Sequence, residues 1–250
     1  MADFIIIIRP EPDASRDVAW LKRYQVPVIA APVMQVEKRP FAVSDMAAFQ
    51  AVIFTSRHAV AAIADSPAIG ALRGLPAYAV GRRTAAAAHQ AGFAEVITGH
   101  GGGRGLVPLL VADLHPHAGA LLWPSATAIS FDMATNLESL GFAVQRLPVY
   151  AMPAQTDIGS QLPDRLLTHS SAAVVAMSAR SIDLLSAMLR DNQLDHRRHI
   201  ITVIAASQSI AEAAGAGWAD ILLAKAARRS RLLAIATLMH RRRGLLRLAR

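Results

Sequence analysis

The residues able to do chemistry in this chain are mostly hydroxyls and arginines, and they recur at one kind of place. Six short segments follow apolar runs and precede helical ones: Arg9-Pro10, Thr55-Ser56-Arg57, Gly81-Arg82-Arg83-Thr84, Ser125-Ala126-Thr127, Ser178-Ala179-Arg180 and Ser207-Gln208-Ser209. In parallel α/β sheets ligands sit at the carboxyl ends of strands. Helix N-termini there offer free backbone N–H groups and the positive end of the helix dipole. Almost none of the six segments carries a carboxylate, so the set suits an anionic ligand and does not suit a metal. Any single Ser or Thr among them also serves as an ordinary N-cap. The recurrence is what points to an anion-binding cleft.

Tyrosine supplies the remaining acid–base candidate. Of Tyr24, Tyr78 and Tyr150, the first lies at a helix end and the second inside a strand, where both pack. Tyr150 lies between Pro148 and Pro153, where it could face a cleft. A phenol with pKa of about 10 is protonated at neutral pH and can give a proton or hydrogen bond to a departing hydroxyl. Packing is the alternative role for Tyr150.

Other chemistries find no support. The chain has no cysteine, which removes disulfides, thiolate zinc sites, iron–sulfur clusters and a cysteine nucleophile. His115 and His117 flank a proline, and His196 and His199 stand beside Arg197 and Arg198, which repel a cation. No metal site is expected. The run Gly99-His100-Gly101-Gly102-Gly103-Arg104-Gly105 fits no register of G-x-G-x-x-G and lacks a P-loop lysine, so it reads as a flexible loop, with anion contact as the alternative. No G-x-S-x-G nucleophile elbow occurs.

The elements that must position these residues are legible as apolar runs. Phe4–Ile8, Val26–Ala30, Ala51–Phe54, Ala77–Val80, Glu95–Thr98, Ala120–Trp123, Ala143–Leu147, Ala172–Ala176, Ile200–Ile204 and Asp220–Leu223 read as strands, with helices between most of them. Unbroken apolar strands interleaved with helices predict an α/β fold with parallel sheets covered on both faces. Val52 to Arg57 resembles Val174 to Ala179, and Ala77 to Gly92 resembles Val203 to Gly217, each at a separation of about 120–125 residues. Two similar α/β domains follow.

Proline-marked segments 33–40 and 147–153 read as linkers, because proline limits both helix and central-strand assignments. One domain is then continuous over 41–146. The other is discontinuous, 1–32 together with 154–250. A double linker makes a hinge and a cleft.

Composition agrees with a packed enzyme-sized chain: 250 residues, 53% hydrophobic and 18% charged. The net charge of +8 is localised. Nine of the 26 Lys and Arg residues follow position 224 with no acid among them, which leaves 17 bases against 18 acids before it. The body is therefore nearly neutral, unlike a nucleic-acid-binding face. The basic tail reads as a solvated helix end, with contact to RNA or anionic lipid as the alternative. The acidic start Met1-Ala2-Asp3 and the short run Phe4–Ile8 do not make a signal peptide, and no run reaches the ~18 apolar residues of a membrane span. A cytoplasmic monomer is expected, with no nucleic-acid partner.

In their order and spacing these segments resemble the uroporphyrinogen-III synthase family. The resemblance rests on Arg9-Pro10 after the opening strand, Phe54-Thr55-Ser56, Ala79-Val80-Gly81-Arg82-Arg83-Thr84-Ala85, Ala91-Gly92-Phe93, Val149-Tyr150, Ser178, and Ser207-Gln208-Ser209. It covers positions from about 4 to 240. It implies two doubly wound parallel-sheet domains joined by a two-stranded linker, no cofactor, and closure of the linear tetrapyrrole hydroxymethylbilane into uroporphyrinogen III. Water is lost and ring D is inverted.

The resemblance makes Tyr150 the proton donor to the leaving hydroxyl. It places Arg9, Thr55, Ser56, Gly81, Thr84, Ser125, Ser178, Ala179 and one or both of Ser207 and Ser209 against the substrate, which bears eight carboxylates. The turn Trp123-Pro124-Ser125-Ala126-Thr127 departs from the family, where many members carry a glycine and an arginine. A non-catalytic two-lobed binding protein for an anionic small molecule is the alternative function.

Overall fold

The computed structural model describes residues 2–43, 48–67 and 69–248, with side chains described to residue 241. In chain order the elements are β1 (Phe4–Ile7), α1 (Asp13–Arg23), β2 (Val28–Ala30), β3 (Glu37–Lys38), β4 (Phe49–Phe54), α2 (Arg57–Ala64), α3 (Ile69–Leu72) and β5 (Ala77–Ala79). Next come α4 (Arg82–Gln90), β6 (Val96–Thr98), α5 (Gly102–Asp113), β7 (Ala120–Ala126), α6 (Met133–Glu138) and β8 (Val144–Ala151). The last are α7 (Gln161–Thr168), β9 (Ala172–Ala176), α8 (Ala179–Asp191), β10 (Ile201–Ala205), α9 (Gln208–Ala214), β11 (Asp220–Leu223) and α10 (Arg229–Leu248), with a 3-10 turn before β10.

These elements form two compact units, Met1–Gln35 with Pro153–Arg250, and Val36–Met152. In the first, five parallel strands lie in the order β11-β10-β9-β1-β2. Phe4 to Ile7 are buried on both faces of the sheet, as are Ala172 to Ala176 and Ile201 to Ala205. Two-sided burial is why these strands read as continuous apolar runs rather than alternating ones.

The second unit orders its strands β3-β8-β7-β4-β5-β6, all parallel except the short β3. The period of two is visible in β4. Val52 and Phe54 pack with α2 residues Ala59, Val60 and Ile63, whereas Ala51 and Ile53 pack with Leu106, Leu110, Met133 and Leu137 of α5 and α6. Helices thus cover both faces, and the doubly wound α/β expectation holds in this unit.

Two strands are longer than the sequence suggested. β7 continues through Pro124 to Ala126, and β8 through Pro148 to Ala151. Proline removes a ladder donor. The cost is avoided at Pro124 because pairing of β7 with β4 ends at Leu122, so Pro124 faces β8 alone. Segment 147–153, expected as a connector, is therefore largely strand. Segment 33–40 contributes β3, antiparallel to the end of β8 with Glu37 opposite Ala151 and Lys38 opposite Tyr150.

Candidate functional site

In the second unit the connection leaving β4 leads to β5 on one side, and β7 flanks β4 on the other. This reversal of strand order is the place where open α/β sheets bind ligands. A cavity of about 360 Å³ lies there, lined among others by Thr55, Ser56, Trp123, Ala126, Phe131 and Tyr150. One wall is aromatic, and the lining carries the hydroxyls of Thr55, Ser56, Ser130 and Tyr150.

Thr55 and Ser56 occupy the turn from β4 into α2. The Ser56 hydroxyl is the N-cap, accepting the backbone N–H of His58 at 3.1 Å. Thr55 Oγ1 accepts the indole N–H of Trp123 at 3.2 Å. Trp123 is 1% exposed, and a buried indole N–H needs an acceptor.

Tyr150 is the penultimate residue of β8. It is 5% exposed, packs in the core cluster with α2, and places its ring 5.9 Å from that of His58. Burial pushes its phenol pKa above the usual value, and a hydrogen bond with Ser56 works weakly the other way. The phenol is accordingly protonated at neutral pH, as a proton donor must be. Packing and cavity lining are not alternatives for this residue, since it does both.

The other expected residues of this unit divide. Gly81 is the N-cap of α4 with an extended backbone, and Thr84 is buried in the first turn of that helix. Ser125 is 1% exposed and committed: it accepts from Arg146 Nε at 3.0 Å and donates to the Ala126 carbonyl at 3.1 Å. Arg146 also donates through Nη2 to the carbonyls of Ala126 at 2.9 Å and Thr127 at 2.7 Å, and lies over the Trp123 ring at 5.6 Å. The guanidinium thereby fixes the end of β7.

In the first unit, strand order reverses between β1 and β9, which brings Arg9 and Ser178 to the equivalent place. Arg9 is held by acids of α1: it is ion-paired to Asp13, and its Nη1 donates to Asp17 at 3.1 Å. Ser178 caps α8, accepting the backbone N–H of Ser181 at 3.1 Å, and Ala179 begins that helix. Ser207 is the N-cap of α9 without a side-chain cap bond, and its hydroxyl is 3.0 Å from that of Ser209. The two hydroxyls are coupled, so neither is singled out.

Sequence reasoning missed Trp123, Phe131 and Arg146 as contributors. Trp123 had a visible signal, a large ring at a strand end beside Ser125. Phe131 and Arg146 had none, because their roles depend on chain segments brought together only by the fold. Among the described residues no group of His, Cys, Asp or Glu could hold a metal ion, and no helix is long and apolar enough to cross a membrane.

Fold and site define a two-unit α/β protein with hydroxyl-bearing strand ends suited to an anionic ligand and a protonated phenol beside one of them. The family model described as uroporphyrinogen-III synthase HemD matches residues 15–234. The chain belongs to the uroporphyrinogen-III synthase family. Its activity is the cyclising lyase reaction of haem biosynthesis that makes uroporphyrinogen III. The match leaves Arg9 and the residues after 234 outside the family model.

Solved structures agree in fold. The chain is 18% identical to the uroporphyrinogen-III synthetase of Helicobacter pylori, with a TM-score of 0.64 over 96% of this chain and 100% of that one. It is 17% identical to a mutant uroporphyrinogen III synthase of Thermus thermophilus, with a TM-score of 0.58 over 98% and 99%. No curated protein matches the chain.

Proposed function

We propose that the residues around the second unit's cavity carry the chemistry of the synthase, with Tyr150 as the proton donor. The single observation that supports this most is the position of Tyr150. Its phenol is raised in pKa, it lines the cavity with Thr55 and Ser56, and it is set by the antiparallel pairing of β8 with β3. A proton from Tyr150 assists loss of the substrate hydroxyl as water, leaving an electrophilic azafulvene. Attack by the substituted carbon of ring D gives a spiro intermediate. Fragmentation and reclosure then invert that ring.

The uncatalysed chain closes without inversion, so positioning must favour the spiro route. In the proposal, Thr55, Ser56, Gly81 and Thr84 in one unit, and Ser178, Ala179, Ser207 and Ser209 in the other, present hydroxyls and helix-start N–H groups to substrate carboxylates. Arg9 and Ser125 hold these strand ends in place, because their polar groups are already engaged. The proposal includes a cytoplasmic monomer with no nucleic-acid partner. The near-neutral charge before residue 225 is consistent with that.

The reading is tested with freshly generated hydroxymethylbilane, separating product isomers after oxidation. Excess type III over spontaneous type I product supports it, and type I alone from folded protein removes it.

A further inference from the structure

One cavity hydroxyl, that of Thr55, accepts from the side chain of a neighbouring cavity residue. A threonine hydroxyl has one proton to give and two lone pairs to receive. Thr55 Oγ1 receives the Trp123 indole N–H at 3.2 Å, and Thr55 donates to no described protein group. The Ser125 hydroxyl, at the end of β7 and not in the cavity lining, instead donates to the Ala126 carbonyl. Trp123 is itself fixed: it is fully packed between strands and helices of its core cluster, and the Arg146 guanidinium lies over its ring.

We infer that Trp123 is a positioning residue for substrate binding, because its indole N–H orients the Thr55 hydroxyl so that the Thr55 proton is given to a substrate carboxylate in the cavity. The inference rests on the reading of this cavity as part of the synthase site. It concerns a residue at the turn where this chain departs from the common family pattern. A hydroxyl that accepts from Trp123 cannot point its proton toward Trp123, so the remaining direction is the open cavity. A donated N–H also polarises the O–H bond and strengthens the next hydrogen bond in the chain. A carboxylate is the apt recipient, because hydrogen bonds to charged acceptors are the stronger ones.

A purely structural role would have Thr55 do no more than satisfy a buried indole. The two roles separate in a double-mutant cycle of Trp123→Phe and Thr55→Val, read both as KM and kcat for hydroxymethylbilane and as the calorimetric Kd of uroporphyrinogen III. The inference predicts that Trp123→Phe raises KM and Kd about 3- to 10-fold with kcat within about twofold. In the Thr55→Val background the same change has no further effect, and Thr55→Ser restores most of the binding. Where Thr55→Val does not fold, Thr55→Ser and Thr55→Ser/Trp123→Phe complete the comparison, and Trp123→Phe weakens binding in both backgrounds.

Unchanged KM and Kd in folded Trp123→Phe overturn the inference, as does an equal loss with and without the Thr55 hydroxyl. Absence of type III product from the parent chain removes the synthase reading instead. The Kd comparison decides the role of Trp123 in either case.

Discussion

Arg229, in the first turn of the last helix, is ion-paired to Asp17 of the first helix, 212 residues away in the sequence. Asp17 is fully buried and also takes a hydrogen bond from Arg9, so one carboxylate joins the end of β1, α1 and α10 within the first unit. Burying a carboxylate is costly unless it is paired, and removing a partner leaves that cost exposed. Arg229→Met should destabilise the protein by about 1–3 kcal/mol, less than a full buried-pair loss because Arg9 still engages Asp17 and the Arg229 side chain is partly exposed. Urea denaturation measures it, and an unchanged midpoint contradicts the account.

Arg9 follows from the same cluster. Its charge is met by Asp13 and Asp17, so Arg9→Met should lower stability by about 2–4 kcal/mol while folded protein retains a KM within about threefold of the parent. A large rise in KM at unchanged stability would show instead that Arg9 binds substrate directly.

Arg146→Met removes four interactions at the end of β7: those to Ser125, Ala126 and Thr127 and the cation over Trp123. The Ala126 and Thr127 carbonyls lose charged donors, so we expect about 1–3 kcal/mol lower stability and a several-fold higher KM. Arg146→Lys should recover little, because a point charge cannot reproduce a fork bonded to three oxygens. Recovery of full binding by lysine would reduce Arg146 to a general positive charge.

Tyr78 gives a prediction in pH. Burial, then the Asp113 carboxylate that accepts its phenol hydrogen at 3.3 Å, raise its pKa from 10.0 to about 12. A group with a raised folded pKa stabilises the fold fully below its unfolded value, and that stability is lost as pH rises through the folded value. Stability should fall between pH 10 and about 12, and Tyr78→Phe should flatten that fall. An identical alkaline slope in the variant would show that other groups set it.

Much of this organisation was legible in the sequence, for definite reasons. The central strands of the first unit's sheet are buried on both faces, so Phe4–Ile7, Ala172–Ala176 and Ile201–Ala205 stand out as apolar runs. The turn after Ala172–Ala176 carries a capping hydroxyl, Ser178, whereas α1 follows Pro12 and Ser207 makes no side-chain cap bond. Strand ends at Pro124 and Pro148 were not legible, because proline is excluded only where a neighbour needs its N–H, and β4 stops pairing at Leu122.

Site occupancy was legible only in part. The Arg9-to-Asp13 spacing of four already places an acid within reach of Arg9 once α1 starts at residue 13. By contrast, Ser125 is engaged by Arg146, 21 residues later on the adjacent strand, and only the parallel register of β7 with β8 brings them together. Nothing local in the sequence distinguishes a hydroxyl committed to the fold from one left to bind.

The central claim is that Tyr150 gives the proton that starts ring closure. The most direct measurement compares parent and Tyr150→Phe protein on hydroxymethylbilane, following type III against type I product across pH. The account predicts that the variant folds with parental stability to within about 1 kcal/mol and loses about 100-fold in kcat, with KM little changed. Because burial raises the phenol pKa, any alkaline loss of parental kcat from this group should lie at higher pH than for an ordinary phenol. Parental rate and isomer ratio in the folded variant would contradict the claim.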